Sequence, residues 1–177
     1  MSSQDIAAAM QRMEDVLKRR PQSGLHDDPP ATAVWTSGMR VVSSHANGTT
    51  AATDMPVALG GTGDHVSPGW LFRAGLASCA TTCIVMAAAA AGIELTRLEV
   101  VASSRSDTRG LLGMRDENDN PVFAGPGDVS LSVRIAAPGV SPERLRALVE
   151  ESQRCSPIPS AVRCALPVAL AVEVETA

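Results

Sequence analysis

Aromatic side chains are nearly absent from this sequence: there is no tyrosine, and Phe and Trp together make up 2% of the 177 residues. A core must therefore be built from Ala, Val, Leu, Ile and Met. The hydrophobic share of 45% and the charged share of 19% are ordinary for a soluble globular protein, and the length suits one domain. An excess of basic charge is also lacking, since the net charge is −4, which argues against nucleic acid as the main partner.

A long apolar leader is missing from the first 20 residues, which are mixed and polar. We therefore expect no signal peptide and a cytoplasmic protein, in which cysteines are reduced or redox-active rather than structural disulfides. Apolar residues at spacings of three and four predict a helix over residues 5–19, and a polar linker follows Pro21. We expect this helix to dock on the core or on a second subunit. The predicted organisation is residues 1–30 as helix and linker and residues 31–177 as the main domain.

Residues at metal-ligand spacing are also absent. His26 and His65 lie in predicted loops, and no second histidine stands at ligand spacing from either. The four cysteines do not form the pairs on knuckle turns that a structural zinc requires. A glycine-rich run at residues 59–63 lacks the lysine and spacing of a phosphate loop. We expect neither a metal nor a cofactor.

Alternating apolar residues predict the strands. They cover residues 31–43, with Gly38 as a possible bulge, and residues 49–57, 95–104, 128–137 and 167–175. Asn47-Gly48 favours a tight hairpin, residues 105–127 read as a long loop with a possible short hairpin at 110–114, and residues 156–159 as a loop stiffened by two prolines. An N-cap serine and a following proline predict a helix from Ser141 to about Arg154.

The longest apolar stretch, residues 67–92, predicts the central helix. Ser67 suits the N-cap, Pro68 the first turn and Gly92 the stop signal. The stretch is apolar nearly all round, which predicts a helix buried inside a domain. Arg73 and the polar first half leave too short an apolar run for a membrane span.

Cys79 and Cys83 lie one turn apart on the same face of this helix, where a thiol serves either packing or chemistry. A disulfide between them is awkward, because their Cβ atoms lie roughly 5–6 Å apart and a disulfide spans about 3.5–4.5 Å. Pairing of one helical thiol with Cys155 is the better geometry. A low-pKa thiolate with a resolving thiol can reduce peroxides. The thiolate needs a nearby cation, and the candidates are Arg40, Arg73 and Arg154.

Two motifs make the sequence resemble the OsmC/Ohr family of osmotically inducible and organic hydroperoxide resistance proteins. One is Gly60-Gly61 followed by SPGWLFRAGLASC at residues 67–79, and the other is the helix over 143–154 that runs into CSPIPS. The resemblance covers about residues 31–176. It implies Cys79 as the peroxidatic thiol and Cys155 as the resolving thiol. It also implies an α+β OsmC-like fold, with antiparallel-rich sheets packed on two long central helices, in an intertwined homodimer with two active sites at the interface.

The resemblance further implies a peroxidase that reduces organic hydroperoxides or hydrogen peroxide and is recycled by an external dithiol, either a lipoyl group or a thioredoxin-like protein. The family carries a glutamate in Asn-Pro-Glu-x-Leu that orients an arginine. Here Gly69 takes the place of the acid, and Arg40 is the nearest match to the arginine, with no orienting carboxylate evident in the sequence. This departure supports an alternative, a non-catalytic protein that binds a hydrophobic small molecule at the dimer interface. A purely structural or partner-binding domain is a third possibility, and packing is the expected role of Cys83 and Cys164.

Overall fold

The structure is a computed structural model that describes residues 2–164 and 166–175. The chain has both helices and antiparallel strands and lacks the regular strand–helix–strand order of an α/β fold, so it is of the α+β class. The helices are α1 (Ser3–Arg19), α2 (Pro68–Ala90), α3 (Thr108–Leu111), α4 (Pro142–Arg154) and α5 (Pro157–Arg163), with short 3₁₀ turns at Pro21–Gly24 and Val57–Leu59. The strands are β1 (Thr32–Ser37), β2 (Arg40–Ser44), β3 (Thr50–Thr53), β4 (Arg97–Arg105) and β5 (Gly127–Ala136).

The strands form two antiparallel sheets, one of β1, β2 and β3 and one of β4 and β5. The single strand expected over residues 31–43 is wrong, because the chain reverses at Gly38, whose φ of +53° suits a tight turn between β1 and β2. The hairpin at Asn47-Gly48 is confirmed between β2 and β3, with Gly48 at φ +90°.

The central helix forms where the sequence predicts it. The Ser67 hydroxyl accepts a hydrogen bond from the Trp70 N–H, and Gly92 follows the helix at φ +65°. Fewer residues of α2 are buried than expected, because the rest of a single chain covers this helix on one side only. The fully buried residues of α2 are Leu76, Ala80, Ile84, Ala88 and Ala89.

By length and mean hydropathy alone, α2 qualifies as long and apolar enough to cross a membrane. A core helix can pass the same test, and 22% of the apolar window of α2 is buried within this chain. It packs against α1, β4, α4 and α5. Its C-terminal end joins a buried cluster with Ile93, Leu145 and Leu148.

The N-terminal helix lies on the core of its own chain. It packs against α2, and the Ser3 hydroxyl donates to the Glu94 carboxylate at 3.2 Å. The sequence left open whether this helix docks on the core or on a second subunit. Within one chain it docks on the core.

Two further expectations are wrong. Residues 110–114 form the end of the short helix α3 and a turn rather than a hairpin, and the strand-like pairing in this loop is a bridge between Arg115 and Pro121. Pro157 and Pro159 lie inside α5 rather than in a loop, because proline is accepted in the first turn of a helix.

The strand expected over residues 167–175 is not formed in this chain. These residues pair with no strand of the described chain, and their apolar side chains point into solvent, with Val168 93% and Leu170 87% exposed. Alternation favours a strand only where a sheet edge and an apolar surface are at hand. The isolated chain brings neither to this segment.

Candidate functional site: a thiol cluster and a carboxylate-bound arginine

Cys79 faces the start of α5 from the middle of α2. Its sulfur lies 3.3 Å from the Ser156 hydroxyl, a residue 77 positions away in the sequence. The Ile158 N–H donates to the same sulfur at 3.5 Å. Because Ser156 is fully buried and Cys79 half-buried, these contacts lie in a partly desolvated site.

Cys155 caps the C-terminal end of α4 and precedes Ser156 in the chain. Its side chain is exposed, whereas its backbone turns towards α2. The Cys83 thiol lies 3.8 Å from the Cys155 carbonyl oxygen and donates to it. The structure therefore brings the end of α4 close to the thiol-bearing face of α2.

Cys83 is the third member of this cluster. Burial raises the pKa of its thiol above the usual range, the Ser156 hydroxyl opposes that shift, and the nearby Cys79 and Cys155 reinforce it. All four cysteines are free thiols. Cys164 is exposed at the end of α5 and stands apart from these contacts.

Arg40 begins β2 and is bound by two carboxylates. Its guanidinium lies 2.7 Å from Asp64 Oδ2 and 3.5 Å from Asp54 Oδ2, and it also donates to the Thr62 hydroxyl at 3.0 Å. The expectation that Arg40 lacks an orienting carboxylate is therefore wrong. The register of β2 and β3, with Val41 opposite Thr53, places Asp54 beside Arg40. The Asn47-Gly48 turn joins these two strands, and it was the signal in the sequence that could have revealed the pair.

Asp54 is the rigid centre of this second cluster. It is 2% exposed and accepts hydrogen bonds from the Met55 N–H at 2.7 Å and the Thr62 N–H at 3.1 Å. Hydrogen bonding by the Thr62 hydroxyl, with these N–H groups and Arg40, lowers the pKa of Asp54 from 3.8 to about 2. The pKa of Asp64 is lowered by the same two side chains, Thr62 and Arg40. Both carboxylates are thus charged at neutral pH.

The arginine cluster and the thiol cluster are separate within one chain. In the part of the chain that the structure describes, no hydrogen bond or ion pair joins Arg40 to a cysteine. Arg73, the other candidate cation, donates to the Ser104 hydroxyl at 3.4 Å. Among residues 2–164 and 166–175, no three His, Cys, Asp or Glu side chains lie close enough together to hold a metal ion.

The chain is an α+β domain with two antiparallel sheets and a long central helix. A cysteine of that helix faces the start of α5, so the domain carries a candidate thiol site. The family model of OsmC-like proteins matches residues 61–171, which is more than half of the chain. The chain belongs to the OsmC-like protein family.

Solved structures support the same fold. The chain is similar to the OsmC-like protein of Mycoplasma pneumoniae, with 16% identity, a TM-score of 0.65 and coverage of 78% of this chain and 89% of that one. It is also similar to an organic hydroperoxide resistance protein OsmC from Legionella pneumophila (21% identity, TM-score 0.56, coverage 78% and 91%). A third similar structure is an organic hydroperoxide resistance protein from Vibrio cholerae (24% identity, TM-score 0.52, coverage 78% and 88%). No curated protein matches the chain.

Proposed function

We propose that this protein is a thiol-dependent peroxidase that uses Cys79 and Cys155. The observation that supports it best is the contact of the Cys79 sulfur with Ser156, the residue next to Cys155. Family membership supports a peroxide-related role, and the names of the similar structures from Legionella and Vibrio point to organic hydroperoxides as the substrate class.

In the proposed reaction, the Cys79 thiolate attacks the terminal peroxide oxygen, which carries the hydrogen. A sulfur–oxygen bond forms, the O–O bond breaks, and the leaving alkoxide takes up a proton from solvent and departs as the alcohol. The resulting sulfenic acid condenses with the Cys155 thiol, which forms a disulfide and releases water. An external dithiol, a lipoyl group or a thioredoxin-like protein in the cytoplasm, then reduces this disulfide. The Ile158 N–H, which donates to the Cys79 sulfur, would hold this sulfur in position for the attack.

Arg40 would supply the positive charge. Its guanidinium is fixed by Asp54 and Asp64, so that the donors of the fork not used by these carboxylates are held in one orientation. Because Arg40 does not contact the thiols of its own chain, we propose that it acts on Cys79 of a second copy in a homodimer.

Exposed apolar side chains on the single chain support that dimer. All six residues of β1 are exposed, including Trp35 at 68%. Val34 and Trp35 leave apolar side chains exposed on this strand, and contiguous exposed apolar patches mark interaction sites. The strand-like segment of residues 166–175 is exposed too and would find its sheet edge in the second copy.

The test is turnover of cumene hydroperoxide with a dithiol as reductant. Wild type should consume peroxide well above background, Cys79→Ser should fall to background, and Cys164→Ser should match wild type. Cys155→Ser should be oxidised once and then stall. Background turnover by wild type, together with a hydrophobic compound that co-purifies, would instead support the binding protein.

A further inference from the structure

Cys83 is a half-buried thiol that has no role in the proposed peroxidase cycle. It sits one helical turn after Cys79 and faces the same junction of α2 with the end of α4. Its contact is with the backbone of Cys155, the residue that would carry the resolving sulfur. Cys79 and Cys83 therefore both lie near the buried Ser156 and beside the backbone of Cys155, so this junction holds three cysteines where two suffice for the cycle.

Cys155 is the member of the cluster that both helical thiols can share. Cys79 and Cys83 are poorly placed to bond with each other, since helical side chains at this spacing have Cβ atoms roughly 5–6 Å apart. Cys155, by contrast, lies on a different element, and its side chain is exposed. The Cys83 sulfur lies 3.8 Å from the Cys155 carbonyl oxygen. The Cys83 sulfur and the Cys155 backbone are therefore no further apart than the length of a cysteine side chain and a disulfide bond.

We propose that Cys83 is a second disulfide partner of Cys155 and takes it over from Cys79. The Cys83 thiol loses its proton to solvent, and its thiolate attacks the Cys155 sulfur of the Cys79–Cys155 disulfide. The bond between Cys83 and Cys155 forms, the bond between Cys79 and Cys155 breaks, and the electron pair leaves on Cys79 as a thiolate. No oxidant is consumed in this exchange, and the free Cys79 thiolate can react with a second peroxide molecule.

This exchange rests on the proposed peroxidase function, but its geometry can be tested without peroxide. The Cys79→Ser variant, treated in its folded state with glutathione disulfide, should form an intramolecular bond between Cys83 and Cys155. Trypsin then separates the relevant cysteines, because Arg73 and Arg97 flank residues 74–97 and Arg154 and Arg163 flank residues 155–163. A cross-linked pair of these two peptides identifies the bond in the mass spectrum.

The controls use the same background. The double variant Cys79→Ser/Cys83→Ser should lose the cross-linked pair, and Cys79→Ser/Cys164→Ser should keep it. If Cys79→Ser gives no such pair while wild type still turns over peroxide, the exchange is overturned and the peroxidase stands. If the pair forms but wild type does not react with peroxide, the geometry stands and the proposed function fails.

Stoichiometry tests the functional consequence. Without reductant, wild type should consume two peroxide molecules per chain and then carry a sulfenic acid that dimedone labels, together with a disulfide. Cys83→Ser should consume one and carry no dimedone label once its disulfide is complete. Equal stoichiometry in the two proteins would overturn the proposal.

Discussion

The thiol cluster and the arginine cluster are built in different ways. Cys79 and Cys83 stand on a helix that packs against four other elements, and their partner Ser156 is fully buried. Arg40 stands on a sheet whose first strand is exposed throughout and whose link to the helix is a bridge between Thr53 and Val66. One half of the candidate site is thus part of the core, and the other half belongs to a sheet that faces solvent.

Both halves are nevertheless ordered internally. The carboxylates that hold Arg40 are themselves held by backbone N–H groups and by Thr62. What one chain lacks is the contact between the halves. In the proposed homodimer, assembly of two chains rather than rearrangement within one would complete the site.

The largest expected effect is on Arg40. Arg40→Ala should lower the rate of peroxide reduction about 100-fold, the usual cost of losing one fixed charge-stabilising donor. Arg40→Lys should recover only part of this loss, because an ammonium group lacks the planar fork. Stopped-flow measurement of Cys79 oxidation would report the rate directly.

Mixing inactive variants shows which chain supplies the arginine. After Arg40→Ala and Cys79→Ser are unfolded and refolded together, half of the dimers are mixed, and each mixed dimer holds one complete site if Arg40 acts across the interface. The mixture should then regain about a quarter of the wild-type activity per chain. No recovery, despite mixed dimers shown by native mass spectrometry, would mean that Arg40 serves the thiol of its own chain.

A second, smaller effect is expected in the C-terminal segment. Leu170→Asp places a charge among apolar side chains that we expect to be covered in the dimer. Light scattering after size exclusion should show dissociation at least about tenfold easier than in wild type, since burial of a leucine contributes about 1.5–3 kcal/mol. Ala171→Asp, on the opposite side of the alternating segment, is the matched control. An unchanged dimer in Leu170→Asp would place the interface elsewhere.

The arginine cluster should also show in the pH dependence of stability. The pKa of Asp54 is lowered from 3.8 to about 2 in the folded state. A lowered folded pKa contributes stability that is complete above the unfolded pKa and is lost as the carboxylate protonates, so it should disappear between about pH 4 and pH 2. Urea midpoints across this range should fall steeply in wild type and less steeply in Asp54→Asn. Asp27→Asn, in the exposed linker, should keep the wild-type slope.

The sequence predicted the helices better than the contacts between distant elements. Ser67, Pro68 and Gly92 mark the ends of α2 because capping and stop signals are local. The carboxylates of Arg40 were missed because they lie 14 and 24 residues away, in a strand end and a loop that only the folded hairpin brings together. The strand over residues 167–175 was predicted from alternation that is real, but alternation does not say which chain provides the neighbouring strand.

The smallest expected effect is at Gly69, where the family motif has its glutamate. Gly69 lies in the exposed first turn of α2, and a Cβ there would sit 3.7 Å from an Arg73 guanidinium nitrogen without a clash. Gly69→Glu should raise the free energy of unfolding by about 1 kcal/mol, since it removes a helical glycine and adds a negative charge near the helix start. Gly69→Ala should give most of that gain.

Peroxide turnover of Gly69→Glu should change by less than about twofold, because Asp54 and Asp64 already hold Arg40 and the new carboxylate meets Arg73 instead. A large rise in turnover with Gly69→Glu but not Gly69→Ala would show that the thiol half still needs the missing acid and that the two aspartates do not replace it.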